Sequence, residues 1–284
     1  PVPEELWERV AEYCGNDVEA TEEVFGATMH DYTARLILSK LSGLNVNATT
    51  TQHAAAFLFG NESRPQDKFI YTDLSERFPG YKYSFGKSEY RGEDPGEGGY
   101  VYSEPGVYID VALLDVASQH PTSLIEMNYF GPFTQKYADL KQTRLYIKHG
   151  DLESAKKMFG GILEEFLQDP ESADMLSYAL KIIINIVYGM TSAKFDNKFK
   201  HKRNHDNIVA KRGALFMINL KHEVQKRGYT VAHIKTDSIK IPNADQKIID
   251  FVFAYGKEYG YDFEHEATYE RMALVNKSVY IAKY

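Results

Sequence analysis

The sequence predicts an α/β (α+β) fold in which helices pack on an antiparallel sheet. Two segments have the alternation and the turn residues of β-hairpins, one over residues 100–115 and one over 230–241. Apolar residues recur at helical spacing in other parts of the chain, most clearly over 6–29, 134–166 and 172–188. Strands joined by short turns pair in opposite directions, so we expect an antiparallel sheet.

Helices account for most of the first 60 residues. Over residues 6–29, apolar side chains recur at roughly helical spacing with acidic residues between them. Residues 34–60 also predict helix, with an interruption near Gly43. The segment 66–99 has no period and ends in Pro95-Gly96-Glu97-Gly98-Gly99, which is typical of a loop. We therefore expect an irregular segment before the first strand.

Three segments predict strands. Residues 100–103, a turn at Glu104-Pro105-Gly106 and the apolar run 107–115 predict a β-hairpin whose second strand ends at Asp115. Residues 230–241 predict a tight hairpin with Asp237 near its tip. A final strand is expected over 273–282.

The later helices are bounded by recognisable signals. Residues 134–166 are expected to be mostly helical, and Asp169-Pro170 then marks a break, because proline is tolerated at the first position of a helix and little further in. The next helix is predicted over about 172–188. An amphipathic helix over 213–227 and another over 244–259 complete the prediction.

Composition excludes several classes of protein. The 284 residues are 43% hydrophobic and 26% charged, which is typical of a globular chain and excludes disordered and fibrous classes. No apolar run approaches the roughly 20 residues of a membrane span, the start lacks a signal peptide, and the one cysteine forms neither a disulfide nor a cysteine zinc cluster. We expect a cytoplasmic protein with no membrane partner. The opening Pro1 indicates a fragment, a processed chain or a trimmed chain.

Charge is distributed unevenly along the chain. The net charge is −7, yet residues 181–228 contain eleven Lys and Arg against three acidic residues, a local charge of +8 that leaves −15 elsewhere. Such asymmetry is expected where one face follows a phosphate backbone and acidic residues gather around metal. The alternative is a solvated basic loop and helix.

Two aspartates are candidates for metal-dependent chemistry. Asp115 is expected at the end of one strand and Asp237 at the tip of a hairpin, so a single sheet could bring them side by side. Nucleotidyl transfer uses two divalent ions roughly 3.5–4 Å apart, and these hard cations prefer carboxylate ligands. The alternative is that each aspartate merely caps a turn.

A polar stripe interrupts the apolar helix predicted over 172–188. At about 100° per residue, Lys181, Asn185 and Tyr188 project from nearly the same face. Arg144 and Lys148 have the same spacing on the preceding helix. Two antiparallel helices could present these cations to one triphosphate, whose leaving pyrophosphate gains charge, although Arg144 and Lys148 taken alone are more typical of solvated surface.

Four motifs in order resemble family B DNA polymerases, most closely those of bacteriophages, over roughly residues 98–284. The first palm motif, Asp-x-x-Ser-Leu-Tyr-Pro, is matched by Asp115-Val116-Ala117-Ser118-Gln119-His120-Pro121. The fingers motif, Lys-x-x-x-Asn-x-x-Tyr-Gly, is matched at every fixed position from Lys181 to Gly189. The second palm motif, Asp-Thr-Asp-Ser, is represented by Lys235-Thr236-Asp237-Ser238, and the Lys-Lys-Arg-Tyr element by Lys277-Ser278-Val279-Tyr280.

The resemblance implies a role for each matched residue. It implies two Mg²⁺ ions, with Mn²⁺ as a substitute, held by Asp115, Asp237 and Val116. Lys181 is implied as a general acid for pyrophosphate, beside the catalytic aspartates. The implied nucleotide-binding residues are Arg144, Lys148, Lys181, Asn185, Tyr188, Ser118 and His120. Those implied to contact primer–template DNA are Lys277, Tyr280, Gly98 and Gly99.

The resemblance also implies a domain organisation. Residues 31–133 and 193–284 are expected to form the palm, with the irregular segment 66–99 in its first part. A helical-hairpin fingers domain is expected at 134–192. Residues 1–30 are expected to be the remnant of an exonuclease domain, on the basis of Tyr13-Cys14-Gly15-Asn16-Asp17, and no thumb is expected after Tyr284.

Three departures from the family pattern matter most for function. His120 stands where the family has a tyrosine that excludes a 2′-hydroxyl, Lys235 replaces the first acid of the second palm motif, and Gly96 replaces the tyrosine of a Tyr-x-Gly-Gly linker. We expect a template-directed DNA polymerase, a nucleotidyltransferase acting on dNTPs together with other replisome proteins. The alternatives are a non-catalytic DNA- or nucleotide-binding fragment and a ribonucleotide-tolerant polymerase.

Overall fold

The computed structural model describes residues 2–284. In this part of the chain the strands are β1 (Lys82–Ser84), β2 (Lys87–Glu89), β3 (Val101–Ser103), β4 (Gly106–Val116), β5 (His233–Lys235), β6 (Ser238–Pro242), β7 (Phe263–Leu274) and β8 (Tyr280–Lys283). The longer α-helices are α1 (Trp7–Ala27), α2 (Met29–Ser42), α3 (Thr50–Phe59), α5 (Gln119–Glu126), α6 (Thr134–Lys148), α8 (Pro170–Thr191), α9 (Ile208–Lys226) and α10 (Gln246–Glu258). The short ones are α4 (Leu74–Arg77) and α7 (Leu152–Lys157). The expected combination of helices with an antiparallel sheet is therefore confirmed.

The described chain divides into two compact units. Unit 1 contains the residues up to Phe57 together with Gln142–Ile183, and unit 2 contains Leu58–Lys141 with Ile184–Tyr284. Helices α3, α6 and α8 contribute residues to both units. The four-part division expected from the sequence stays a prediction.

Unit 2 is built on a six-stranded antiparallel sheet in the order β3-β5-β6-β4-β7-β8. One face holds an apolar cluster of buried residues: Val111, Leu113, Ala232, Tyr269, Met272 and Leu274. The central strand β6 is buried along its whole length, so its side chains are covered on both faces. Strand β7 bulges against β4 between Leu113 and Leu114, where Glu266 is the extra residue.

Helix α9 is buried on nearly all sides, which corrects the expectation of an amphipathic helix. It begins at Ile208, five positions before the predicted start, and even Lys211, Arg212 and Lys221 are buried. Each of these cations has an internal partner: Lys211 donates to the Gly96 carbonyl, Arg212 to the Tyr259 carbonyl, and Lys221 to the Glu93 carboxylate. The spacing of apolar residues predicted a solvated face because it carries no information about such internal partners.

Two strand predictions were wrong. Strands β3 and β4 both exist, but they do not pair with each other, because β5 and β6 stand between them in the sheet. The turn at Glu104-Pro105-Gly106 is therefore a crossover between non-adjacent strands. The final strand predicted over 273–282 is a hairpin of β7 and β8, and most of β7 was missed. Charged residues alternate along β7, which hid its apolar positions.

Unit 1 is helical. In α2, Ala34, Ile37, Leu38 and Leu41 are buried, whereas α1 has no buried residue. The Tyr178 hydroxyl of α8 donates to the Asp31 carboxylate, and Lys40 pairs with Glu165 at 3.0 Å. The Phe57 and Phe159 rings meet edge to face. These contacts hold its two chain segments together.

Helix α8 corrects the expectation that no segment is long and apolar enough for a membrane span. Over its 22 residues it reaches a mean hydropathy of 1.2 in an 18-residue window, of which 39% is buried. Length and composition alone do not establish a span, because a core helix passes the same test. Lys181 and Asn185 are exposed on this helix.

Candidate active site

The centre of the site is the place where β4 ends beside the β5–β6 turn. Asp115 is the register partner of Ser238, and the Val116 N–H donates to the Asp237 carbonyl oxygen at 3.0 Å. Thr236 and Asp237 form the two-residue turn between β5 and β6. The structure thus places Asp115, at the end of β4, beside the turn that carries Asp237, although the two residues lie far apart in the sequence.

The carboxyl groups of both aspartates have raised pKa values. Burial, reinforced by the negative charges of Asp237 and Glu266, raises the pKa of Asp115 to about 7. Burial also raises the pKa of Asp237, and the Glu266 charge adds to this. Carboxylates that are costly to ionise side by side attract a cation, because the cation offsets their repulsion.

Lys240 is a strongly buried cation close to these carboxylates. Its side chain follows Ser238 by two positions on β6, and the ammonium lies 3.4 Å from the Ser238 hydroxyl. Burial lowers the pKa of Lys240 to about 8, while the charges of Asp115 and Asp237 act in the opposite direction. Lys240 therefore offsets only part of the local negative charge.

The carboxylate pair fits a divalent metal only as part of a mixed ligand set. Within residues 2–284 there is no group of three or more His, Cys, Asp or Glu side chains arranged to hold a metal ion. Mg²⁺ is commonly bound by one or two carboxylates together with substrate phosphates and water, rather than by an all-protein cage. Asp115 and Asp237 supply two such carboxylates, and the Val116 backbone adjoins them.

His120 stacks on Tyr188 beside the first motif. The ring centroids are 4.0 Å apart and the planes differ by 11°. Burial lowers the pKa of His120 to about 4, and its buried Nδ1 has no hydrogen-bond partner. The imidazole is therefore neutral at pH 7. Ser118, just before α5, has a left-handed backbone (φ 59°), which bends the chain between Asp115 and His120.

The turn 275–279 brings the fourth motif to the apolar-cluster face of the sheet. The Tyr280 ring lies 5.1 Å from the Lys240 ammonium and 5.8 Å from the His233 ring. The His233 Nε2 donates to the Lys277 carbonyl at 3.1 Å, while the Lys277 side chain is exposed. Tyr280 is thus connected through Lys240 to the carboxylate site, and Lys277 is free to meet a ligand from solvent.

The glycine linker packs directly on the β5–β6 turn. A Cβ on Gly99 would lie 2.7 Å from the Thr236 side chain, so only glycine allows this approach. The Thr236 N–H donates to the Tyr100 carbonyl at 2.9 Å. Gly98 is exposed next to this contact.

The remaining predicted residues lie on α6 and α8. Arg144, Lys148 and Lys181 belong to unit 1, whereas Asn185 and Tyr188 belong to unit 2. The Arg144 Nε is buried without a hydrogen-bond partner, and Lys181 is exposed. Their helical spacing is as the sequence predicted, and their roles stay predictions.

Sequence reasoning missed three residues of the site: Glu266, Lys240 and Gln119. Glu266 lies on the strand that was not predicted. Lys240 had a usable signal, because strand alternation puts it on the same face as Ser238. Gln119 stands in the first motif where the family has leucine. Only the packing of its side chain shows what this difference does.

Comparison with known proteins gives two similarities. The chain is 24% identical over 192 residues to DNA polymerase 2 of Aeropyrum pernix, a match that covers 60% of this chain and 24% of that protein. Its fold is similar to the structure of the family B DNA polymerase from Pyrobaculum calidifontis, with a TM-score of 0.51 and 16% identity, over 96% of this chain and 37% of that one. No protein-family profile matches the chain.

These similarities establish a relationship to DNA polymerases and the fold of a family B polymerase segment. The chain spans about a quarter of the length of the curated relative and about a third of the solved structure. The expected fold class is confirmed.

Proposed function

We propose that this chain carries the palm and fingers of a template-directed DNA polymerase that transfers a nucleotidyl group from a dNTP to a primer 3′-hydroxyl. The supporting observation is the adjacency of Asp115 and Asp237 at the end of β4 and the β5–β6 turn. Their raised pKa values indicate a site built for a cation. The sequence similarity to a DNA polymerase supports the same chemistry.

In this proposal the residues divide into three groups. Asp115 and Asp237, with the Val116 backbone, would hold divalent metal, which would supply activation of the attacking hydroxyl and stabilisation of the leaving oxygen. Lys181, Arg144 and Lys148 bind the triphosphate, and Lys181 donates a proton to pyrophosphate. Ser118, His120, Asn185 and Tyr188 border the incoming nucleotide.

The proposed DNA path follows the apolar-cluster face of the sheet, where Tyr280 lies. Tyr280 and the exposed Lys277 contact the primer–template duplex, and the exposed Gly98 with Gly99 contacts the strand beside the β5–β6 turn. Exposed lysine near a phosphate backbone contributes affinity that falls with salt. Of the eleven Lys and Arg over residues 181–228, the three on α9 that have internal partners are buried, and the other eight are at least partly exposed, which supports a polyanionic partner.

We further propose that the enzyme is of the bacteriophage replication type and works in the host cytoplasm with other replisome proteins. The support is the resemblance of the four motifs, in order, to phage polymerases. The similar solved structure reported above is described as archaeal.

Primer extension tests the proposal. The purified chain is incubated with a 5′-labelled primer–template, dNTPs and Mg²⁺, and a parallel sample contains chelator. We expect template-dependent extension that chelator abolishes. Extension in chelator, or none under any metal condition, would contradict the proposal.

Binding of the same DNA separates an enzyme from a binding module. Affinity is measured by fluorescence anisotropy over a salt series. Salt-sensitive binding without extension would support the non-catalytic fragment, in which DNA affinity persists and chemistry does not. Binding together with Mg²⁺-dependent extension supports the polymerase.

A further inference from the structure

Gln119 connects the two aspartate-bearing segments. It is the first residue of α5 and is 2% exposed. Its side-chain Nε2 donates to the Thr236 carbonyl oxygen at 3.1 Å. Thr236 immediately precedes Asp237, so a side chain that follows Asp115 by four positions holds the turn that carries the second aspartate.

The orientation of this amide follows from its surroundings. Its Oε1 is buried without a hydrogen-bond partner. Rotating the amide by 180° would place Oε1 against the Thr236 carbonyl oxygen, and two acceptors repel at that distance. Nε2 therefore faces Thr236. This orientation leaves Oε1 buried without a partner, which costs free energy. A leucine at this position would avoid that cost but could not donate.

Gly213 makes room for the amide. A Cβ at Gly213 would lie 2.5 Å from the Gln119 Oε1 and 2.6 Å from its Cδ. Gly213 lies within the buried helix α9, where glycine is less favourable than alanine. The glycine is explained by the close approach of Gln119.

Thr236 needs external support. Its φ is +56°, in the left-handed region that a β-branched residue rarely adopts. Tyr100 accepts its N–H and Gln119 binds its carbonyl, so both backbone groups of the strained residue are held from outside the hairpin. Gly99 packs so closely on the Thr236 side chain that a Cβ at position 99 would lie 2.7 Å from it.

We infer that Gln119 is a positioning residue that fixes the β5–β6 turn and thereby the Asp237 carboxylate beside Asp115. The inference concerns geometry, and its consequence for metal binding rests on the proposed function. Gln119 acts through the Thr236 carbonyl. Its effect should therefore appear in the rigidity of the turn and in the affinity of the aspartates for metal.

The first test is amide exchange in Gln119→Leu. We expect exchange at residues 235–238 to rise about tenfold, the effect that losing one buried hydrogen bond allows. The matched control is Asn219→Leu, which removes another buried amide of unit 2, one that accepts from the Tyr90 hydroxyl at 2.8 Å. The control should lose comparable stability and leave exchange at 235–238 unchanged. Unchanged exchange in Gln119→Leu, or an equal rise in both variants, overturns the inference.

The second test is Mn²⁺ binding followed by electron paramagnetic resonance, which requires no catalysis. Gln119→Leu should weaken Mn²⁺ binding several-fold, and Asn219→Leu should not. If exchange rises but Mn²⁺ affinity is unchanged, Gln119 does not position Asp237. A chain that extends no primer yet shows both effects would refute the proposed function and leave the positioning role intact.

Gly213 provides an independent check. Gly213→Ala should displace the Gln119 amide and raise exchange at 235–238 as Gln119→Leu does. In a Gln119→Ala background the added methyl meets no amide, so Gly213→Ala should add little further exchange. Additive effects of the two substitutions would contradict the packing argument.

Discussion

The His120 and Tyr188 rings stack in parallel at 4.0 Å, which joins the first palm motif to the fingers motif within unit 2. A tyrosine at 120 would extend beyond the imidazole by a phenol oxygen and part of a ring. In the proposed function, the size of the side chain at 120 therefore sets how much room remains for a nucleotide sugar.

We predict that His120→Tyr increases discrimination against ribonucleotides, by about a hundredfold in the ratio of kcat/KM values, because a larger side chain occupies the volume of a 2′-hydroxyl. The measurement is single-nucleotide incorporation of matched ribo- and deoxynucleotides. His205→Tyr, on an exposed loop, serves as the control. Equal discrimination by wild type and His120→Tyr would remove the basis for ribonucleotide tolerance.

His120 should also make stability depend on pH. Its pKa is lowered from 6.5 to about 4, so the folded state disfavours the charged ring. The stabilisation is complete above pH 6.5 and is lost as the pH falls towards 4, with a total of about 3 kcal/mol. Urea unfolding of wild type and His120→Phe at pH 4 to 8 measures it. Parallel stability curves for the two proteins would contradict the burial of a neutral imidazole.

Metal affinity should follow the protonation of Asp115. Because its pKa is raised from 3.8 to about 7, this carboxyl favours folding below pH 3.8, and that contribution is lost as the pH rises through about 7. Protons compete with metal below pH 7, so the Mg²⁺ midpoint of extension should rise about tenfold per pH unit there. The midpoint is titrated from pH 6 to 8.5. A midpoint independent of pH across this range would show that Asp115 is already ionised.

Glu93 should be a major contributor to stability. Its carboxylate accepts from the buried Lys221 and Tyr100 and from His222 at 2.8 Å. Glu93→Ala leaves the Lys221 ammonium buried without its carboxylate, which should lower the free energy of unfolding by about 3 kcal/mol. Glu89→Ala, at an exposed position of β2, should change it by less than about 0.5 kcal/mol. Similar denaturation midpoints for both variants would contradict this role.

Much of the fold could be predicted because local signals were strong. The β5–β6 hairpin, α10 and the break before α8 each have clear turn or capping residues, and the structure confirms them. Asp245 caps α10 by accepting the Ile248 N–H, as its place before an apolar run indicates. Strand order could not be predicted in this way. Nothing in residues 100–116 signals that β5 and β6, more than a hundred positions later, separate β3 from β4.

The site residues likewise divide into those that the sequence predicted and those that it did not. The motif letters located Asp115 and Asp237, and sheet register explains why they adjoin. Glu266 was not predicted because it lies at a bulge of β7, a strand whose charged residues obscure its alternating apolar positions. Gln119 escaped because its function depends on the Thr236 carbonyl and on Gly213, and neither contact is encoded by spacing within one segment.

The most direct test of the central claim is single-turnover incorporation by Asp115→Asn and Asp237→Asn at saturating dNTP and Mg²⁺. Each change keeps the side-chain shape and removes a charge, so we expect a loss of at least about a thousandfold in rate with DNA binding retained. Asp110→Asn, exposed on the same strand as Asp115, should incorporate at the wild-type rate. Incorporation by either test variant within about tenfold of wild type would contradict the assignment of Asp115 and Asp237 as the metal-binding pair.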